Sequence, residues 1–398
     1  MKRGCAGDIA RRAWALCWEG MVGPGAVFIH PQGIEAYRYP AECPFKTERA
    51  GMTAGILRSM GLLSGDHRWV CEPGPASRAE LERFHTASYL DALERAQRGD
   101  LDADALFLGL GTEDCPVFHG MYEYATLACG GTLAGARLVL SGDAYVAFNP
   151  SGGFHHAAPA MAGGFCYIND IVIACLELAA AGKRVFCLDL DVHHGDGVQD
   201  AFYQRSDVMT VSMHESGKTL FPGGGFPDEI GAGEGRGYNV NIGLPVGTYD
   251  EPYLRAFRKL VVPLLEAYEP DVVTLEVGMD GLSGDPLAHL NLTNNAYADA
   301  VSTVVEAGRP VLITGGGGYN PQKTARGWAL VWRVACGEDD PGGMDHALGG
   351  VMLESTDWHG GLRDRVLVPD QKQVARVNPA IDAVIAATKA TVFPLHGL

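Results

Sequence analysis

LDLDVHHGDG, Leu188 to Gly197, is the stretch on which the reading of the chain turns. It follows the β-branched and aromatic run Arg184 to Leu188 and packs three carboxylates and two imidazoles into eight residues. In an extended segment, residues two apart face the same side. The spacing therefore lets Asp191 and His193 reach one cation, with Asp189 behind them. Similar short runs recur at Tyr145–Phe148, Val208–Ser212, Tyr238–Ile242, Val272–Val277 and Val311–Thr314. Between and around them lie segments of helical period: Glu48–Met60, Arg78–Gln97, Met121–Leu140, Cys166–Ala181, Pro252–Tyr268, Asn294–Ala307 and Gln322–Cys336. Strands alternating with helices predict an α/β fold, a parallel sheet covered on both faces, with chemistry in the loops beyond the strand carboxyl ends.

Those loops hold the unusual residues. Asp280, in VGMDGLSGDP after Val272–Val277, adds a third ligand to Asp191 and His193. A three-residue set with a position left for water is the pattern of catalytic rather than structural zinc. Its oxygen-rich donors suit ferrous iron as well. His155 and His156 follow the run Tyr145–Phe148, in GGFHHA. Each imidazole needs a carboxylate on its second nitrogen to fix tautomer and basicity, and Asp189 and Asp196 are available for that work. The spacing does not say which serves which. Tyr319 closes TGGGGYNP, after Val311–Thr314. With no Lys-Ser/Thr following the glycines, a phosphate loop is a poor reading, and the phenol is better placed to donate to a developing oxyanion.

Composition sets the outer bounds. The 398 residues carry 31 Lys+Arg and 48 Asp+Glu, a formal charge of −17, with 47% apolar and 20% charged residues. This is the balance of a chain with a large core, and disordered and fibrous classes are excluded. The acidic surplus disfavours direct nucleic-acid binding and anionic lipid while favouring cationic ligands. The longest apolar stretch, Ile168–Ala181, is broken by Asn169, Asp170 and Glu177, too short for a span of about 20 apolar residues. The N-terminal Lys2, Arg3, Arg11 and Arg12 are interrupted by Asp8 and Glu19 and lead to no export signal. Ten scattered cysteines without a C-x-x-C pair fit a reducing cytoplasm. The last fifty residues show no motif.

In order along the chain, FHTASYLDAL, EDCP, GGFHHA, GGFCYIND, DLDVHHGDGVQDAFY, VMTVSMH, GRGYNVNIGLP, MDGLSGDPL and GGGGYN resemble the zinc-dependent histone deacetylases. Within the arginase/deacetylase superfamily the likeness is to the class I type and to bacterial acetoin-utilisation deacetylases. It runs from about Phe28 to about Cys336. The resemblance implies a single catalytic domain over residues 20–390, with a parallel sheet of about eight strands. It implies Asp191, His193 and Asp280 as ligands of one zinc ion, with His155 and His156 as a dyad backed by Asp189 and Asp196. Tyr319 is similar to the transition-state tyrosine. Gly164, Phe165 and Phe221 correspond to tunnel walls, Asp114 to a rim carboxylate that holds the substrate backbone, and Leu287 to the tunnel mouth. One or two potassium ions are implied: one at Asp189, Ser212 and the backbone oxygens of Asp191, His193 and Met213, the other at the backbone oxygens of Phe202, Arg205, Val208 and Tyr238. Arg49 matches an arginine of an internal acetate cavity.

The implied activity is hydrolysis of Nε-acyl-lysine in proteins or peptides. GGFHHA, FCYIND and the run of four glycines favour protein substrates over acetylpolyamines, which remain the alternative substrate class. GDPLAH lacks a glycine after its leucine, and Gly223–Gly225 stands for the usual Gly-Thr-Gly, so the rim is expected to be individual. A non-catalytic acetyl-ligand binding protein would need to keep neither dyad nor tyrosine. Ser151 and Ser212 lie in no G-x-S-x-G elbow, which disfavours a serine hydrolase. A two-manganese ureohydrolase would need further aspartates at the metal. Oligomeric state has no signal in the sequence.

Overall fold

The structure, a computed structural model, describes residues 25–338 and 361–398. The basic N-terminal residues, Cys5 and Cys17 lie outside them; the eight described cysteines are free thiols.

Eight strands form one sheet: β1 Gly25–Ile29, β2 Arg68–Cys71, β3 Ala144–Asn149, β4 Val185–Asp189, β5 Val208–Glu215, β6 Asn239–Leu244, β7 Val272–Glu276 and β8 Val311–Thr314. Their order is β2-β1-β3-β8-β7-β4-β5-β6, and every pairing is parallel. The six expected strands are all present. β1 and β2 were not singled out by the sequence. β2 is a half-buried edge of four residues, too short to give a periodic signal.

Alternation divides the core. Phe28, Val146, Phe148, Phe186 and Leu188 face one side, against Leu57 of helix Glu48–Ser59, Val301 of helix Asn294–Glu306 and Trp328 and Trp332 of helix Pro321–Ala335. Val27, Ile29, Ala147, Val185 and Cys187 face the other, against helices Met121–Ser141 and Asp170–Ala180. With both faces covered, the central strands read as continuous apolar runs rather than alternating ones. A third apolar cluster joins Tyr39, Phe45, Phe154 and Phe165 of the loops around the site to Tyr124 of helix Met121–Ser141.

Local capping explains where helices depart from expectation. The segment Arg78–Gln97 is two helices, Arg78–Leu81 and Ala87–Ala96, because Thr86 starts a new one by accepting from the Tyr89 amide. The segment Cys166–Ala181 becomes helical only at Asp170, where the Asn169 side chain accepts from the Val172 amide. Helix Gln371–Val392, in the terminal fifty residues, was not expected; it buries Val377, Ile381, Ile385 and Val392. Among the described residues no helix is long and apolar enough to cross a membrane.

Toward the carboxyl end of the sheet a row of polar residues runs in register across six strands, closing β3, β4, β7 and β8 and lying within β5 and β6. Asn149 pairs with Thr314, Thr314 with Glu276, Glu276 with Asp189, Asp189 with Ser212, and Ser212 with Asn241. This row is the floor on which the loops stand.

Candidate active site

The chain bends immediately after β4. Asp189 Oδ1 accepts the Asp191 amide at 3.0 Å, and Asp191 Oδ1 accepts the His193 amide at 2.8 Å. Asp191 and His193 therefore converge through carboxylate-capped turns. The side-to-side alternation of an extended strand, from which their proximity was expected, is not the cause. Asp280 arrives from the loop after β7 and is tied in by the Val192 amide at 3.0 Å. His193 Nδ1 lies 3.1 Å from Asp191 Oδ1 and 2.9 Å from Asp280 Oδ2. One donor atom from each of the three residues lies within 4.8 Å of the others, and all three residues are buried.

The donor chemistry fits a divalent cation. Burial disfavours charge on His193, but Asp191 and Asp280 outweigh it and push its pKa up to about 10, so the trio holds positive charge firmly. Burial, then the neighbouring Asp191, raises Asp280, which leaves the two carboxylates in need of a shared counter-charge. Space is reserved as well. A Cβ on Gly317 would overlap Asp280 Oδ2 and come within 2.7 Å of Asp191 Oδ2, where the Gly317 amide now donates to Asp191 at 2.7 Å.

The dyad sits beside the trio, and here the structure resolves the pairing. His155 Nδ1 is 2.8 Å from Asp189 Oδ2, and His156 Nδ1 is 2.8 Å from Asp196 Oδ1. The two Nε2 atoms face each other at 3.0 Å. Burial opposes charge on His155, but Asp189 raises its pKa to about 9; burial and the charge of His155 lower His156 to about 4. One imidazole is thus held charged and its neighbour neutral.

Aromatic rings gather around the trio and the dyad. His193 lies 6.0 Å from His156, 6.4 Å from Phe221 and 6.3 Å from Tyr319, and Phe165 lies 5.6 Å from Tyr319. Gly164, at φ 52°, rests on His156 so closely that a Cβ would overlap the imidazole ring. Burial, then Asp280 and Asp191, raises the Tyr319 phenol well above its ordinary range, which keeps it a donor. Leu287 and Tyr319 are both half-buried against the third apolar cluster. Asp114 is exposed, and its backbone oxygen accepts the Phe165 amide at 3.0 Å. Arg49 is buried behind Tyr319: it donates to the Gly318 oxygen at 2.8 Å and lies over the rings of Phe45 and Trp328.

Of the residues expected around potassium, Asp189 and Ser212 are register partners on β4 and β5, and Ser212 Oγ lies 2.8 Å from His214 Nδ1. The Phe202 oxygen already accepts the Arg205 amide at 2.9 Å, and the Tyr238 oxygen accepts the Thr210 amide at 2.9 Å.

Several site residues were not identified from the sequence. Asp170 accepts from the Gly153 and Phe154 amides and from Thr132, and Asn169 donates to the His155 and Ala157 oxygens. Together they hold the dyad loop. Asp285 accepts the Tyr319 amide at 2.8 Å and the Leu287 amide at 2.9 Å, joining the phenol to the mouth. Glu276 is buried beside Asp189, with one carboxylate oxygen unpartnered. Asp170 and Asp285 lie in motifs that carry the family resemblance, GGFCYIND and MDGLSGDPL, but nothing local reveals which distant amides they bind.

The histone deacetylase domain family matches residues 43–335. The chain is 38% identical over 306 residues to histone deacetylase RPD3 of Saccharomyces cerevisiae, covering 76% of this chain and 70% of that protein. It is 40% identical over 323 residues to the acetoin utilization protein AcuC of Bacillus subtilis, covering 79% and 83% respectively. A crystal structure of an HDAC homolog complexed with SAHA superposes with a TM-score of 0.80 at 32% identity, covering 92% of this chain and all of that one. With its parallel eight-stranded sheet and this extent of similarity, the chain belongs to the histone deacetylase family.

Proposed function

We propose that the protein is a metal-dependent hydrolase of the Nε-acyl-lysine amide in proteins or peptides, releasing a carboxylate and free lysine. The observation that carries the reading is the placement of one buried Asp-His-Asp trio, a carboxylate-backed histidine dyad and a tyrosine around a single aromatic-walled space.

Asp191, His193 and Asp280 would hold one zinc ion, the metal typical of the family, or ferrous iron. When bound, the metal supplies Lewis acidity, making a water more acidic and the amide carbon more electrophilic. Phe165 and Phe221 flank the apolar stem of the substrate lysine, and Asp114 at the rim receives its backbone amides. His156, neutral and steadied at Nδ1 by Asp196, takes a proton from the attacking water through Nε2, which the water reaches by displacing the 3.0 Å contact with His155 Nε2. It then returns that proton to the leaving amine. His155, held charged by Asp189, supplies fixed positive charge 3.0 Å away. Tyr319 donates to the oxyanion of the tetrahedral intermediate, a contribution of about 3–4 kcal/mol. Arg49 would meet the released carboxylate in the interior.

Asp189 with Ser212, and the backbone oxygens of Phe202, Arg205, Val208 and Tyr238, are the proposed potassium positions. Residues 20–390 would form one catalytic unit acting in the cytoplasm. The test uses purified protein loaded with zinc or iron and a panel of acetyl- and longer acyl-lysine peptides beside acetylputrescine and acetylspermidine. Peptide turnover above polyamine turnover is expected. The reverse order would replace the substrate class and leave the chemistry standing.

A further inference from the structure

Among the described residues, four of the ten exposed large apolar side chains gather beside the proposed tunnel mouth, the others being Phe221 of the wall and the C-terminal Val366, Leu367, Val368, Leu395 and Leu398. Phe107 is 83% exposed, Leu106 55%, Met161 51% and Leu101 44%. Single exposed apolar residues are ordinary; four in adjoining loops are not. Leu106 and Phe107 end the short helix Ala103–Phe107, which Asp102 caps, and Leu101 and Leu106 converge beside Gly111.

This segment is fastened to the wall of the site. The Ala162 amide donates to the Leu108 oxygen at 2.9 Å, which sets Met161 alongside. The turn Gly109–Cys115 is closed by Thr112, and the Phe165 amide then donates to the Asp114 oxygen. The apolar side chains, the rim carboxylate and the wall ring are thus parts of one hydrogen-bonded unit, so the surface is continuous with the mouth. Its border is acidic. Asp100 is matched by Arg95, but Asp104, Glu113 and Asp114 are all exposed.

We propose that this patch is a docking surface for the polypeptide around the acyl-lysine, specifically a segment carrying an apolar side chain among basic residues. The inference rests on the acyl-lysine reading above and deepens it. An apolar centre ringed by carboxylates matches that segment in both hydropathy and charge. A polyamine, with no side chain to bury, would gain nothing from it.

The experiment compares wild type with Phe107→Ser and, separately, Leu106→Ser, all metal-loaded. Three probes are used: an acetyl-lysine peptide with one leucine or phenylalanine among lysines, the same peptide with serine at the apolar position, and a blocked acetyl-lysine monomer. Binding is read by fluorescence anisotropy of labelled peptide, turnover by kcat and KM, and particle size by light scattering. The wild type is expected to bind the apolar peptide about tenfold more tightly than the serine peptide, as one buried aromatic contact allows. Phe107→Ser is expected to erase that difference by raising KM, with kcat and monomer turnover unchanged.

Equal binding of the two peptides by wild type, or an undiminished difference in both variants, overturns the proposal. So does a change in particle size on substitution without a change in peptide binding, which would assign the patch to a second copy of the chain. If wild type binds the apolar peptide selectively and Phe107→Ser abolishes this, yet no acyl-lysine probe is hydrolysed, the catalytic reading fails and the surface stands.

Discussion

The backbones at Tyr319 and His156 are held independently of those side chains, by Asp285 at Tyr319 and by Asn169 in the dyad loop. Tyr319→Phe and His156→Ala are therefore expected to lower kcat on an acetyl-lysine peptide by about 10²–10³-fold while thermal unfolding stays near wild type. Activity close to wild type in either would remove that residue from the mechanism. Gly317→Ala addresses the cation instead. The added methyl group meets Asp280 and Asp191, so metal content measured by elemental analysis should fall steeply while far-ultraviolet circular dichroism is retained. Full metal occupancy in this variant would mean that the trio is not the metal site. Residues with recurring local signatures, such as the dyad, the trio and Tyr319, were legible in the sequence. Asp170 and Asp285 were not, because their meaning lies in amides 16 to 34 positions away.

Helix Gln371–Val392 shows what the sequence conceals at the level of elements. Val377, Ile381, Ile385, Thr388 and Val392 follow helical spacing, but Pro379 interrupts it and no motif draws the eye there. The helix is a late part of the core that packs on β6. Ile381→Ala is expected to cost about 2–5 kcal/mol of stability, read in urea unfolding, with kcat unchanged. A second element-level prediction concerns acid. Burial opposes ionisation of Glu80, but its Ser77 hydrogen bonds and Arg137 hold its pKa down at about 2. Arg137 also reaches Glu177, which ties helices Arg78–Leu81, Met121–Ser141 and Asp170–Ala180 together. A depressed carboxylate stabilises above its unfolded pKa and stops doing so as pH falls through the folded one. Wild type should thus lose up to about 1 kcal/mol between pH 4.5 and 2 that Glu80→Gln does not lose, a modest figure because the pair is near solvent. Six strands were readable because β-branched and aromatic residues gather in short runs there, most plainly in central strands such as Val311–Thr314. β1 was overlooked despite complete burial, since its apolar run is only Ala26–Ile29, four residues long.

For the molecule as a whole, the charge of −17 is a long-range field. Raising salt from about 0.05 to about 0.5 M should depress kcat/KM for a lysine-rich acetyl peptide several-fold and leave an uncharged acetyl-lysine monomer nearly unaffected. A flat response for both would confine the acidic surplus to solubility. The overall architecture was legible because alternating strands and helices admit few arrangements, whereas the strand order, with β1 and β3 adjacent and β8 inserted before β7, depends on contacts far apart in the chain. The polar row across the strand ends has a bearing on refolding. A slip of β4 by a single residue would present Leu188 to His155 in place of Asp189 and still bury an apolar strand on both faces. Misregistered molecules would be compact and helical, invisible to circular dichroism or light scattering, and unable to turn over substrate. Specific activity after refolding, normalised to total monomeric protein, would then serve as a gauge of how many chains found the right alignment.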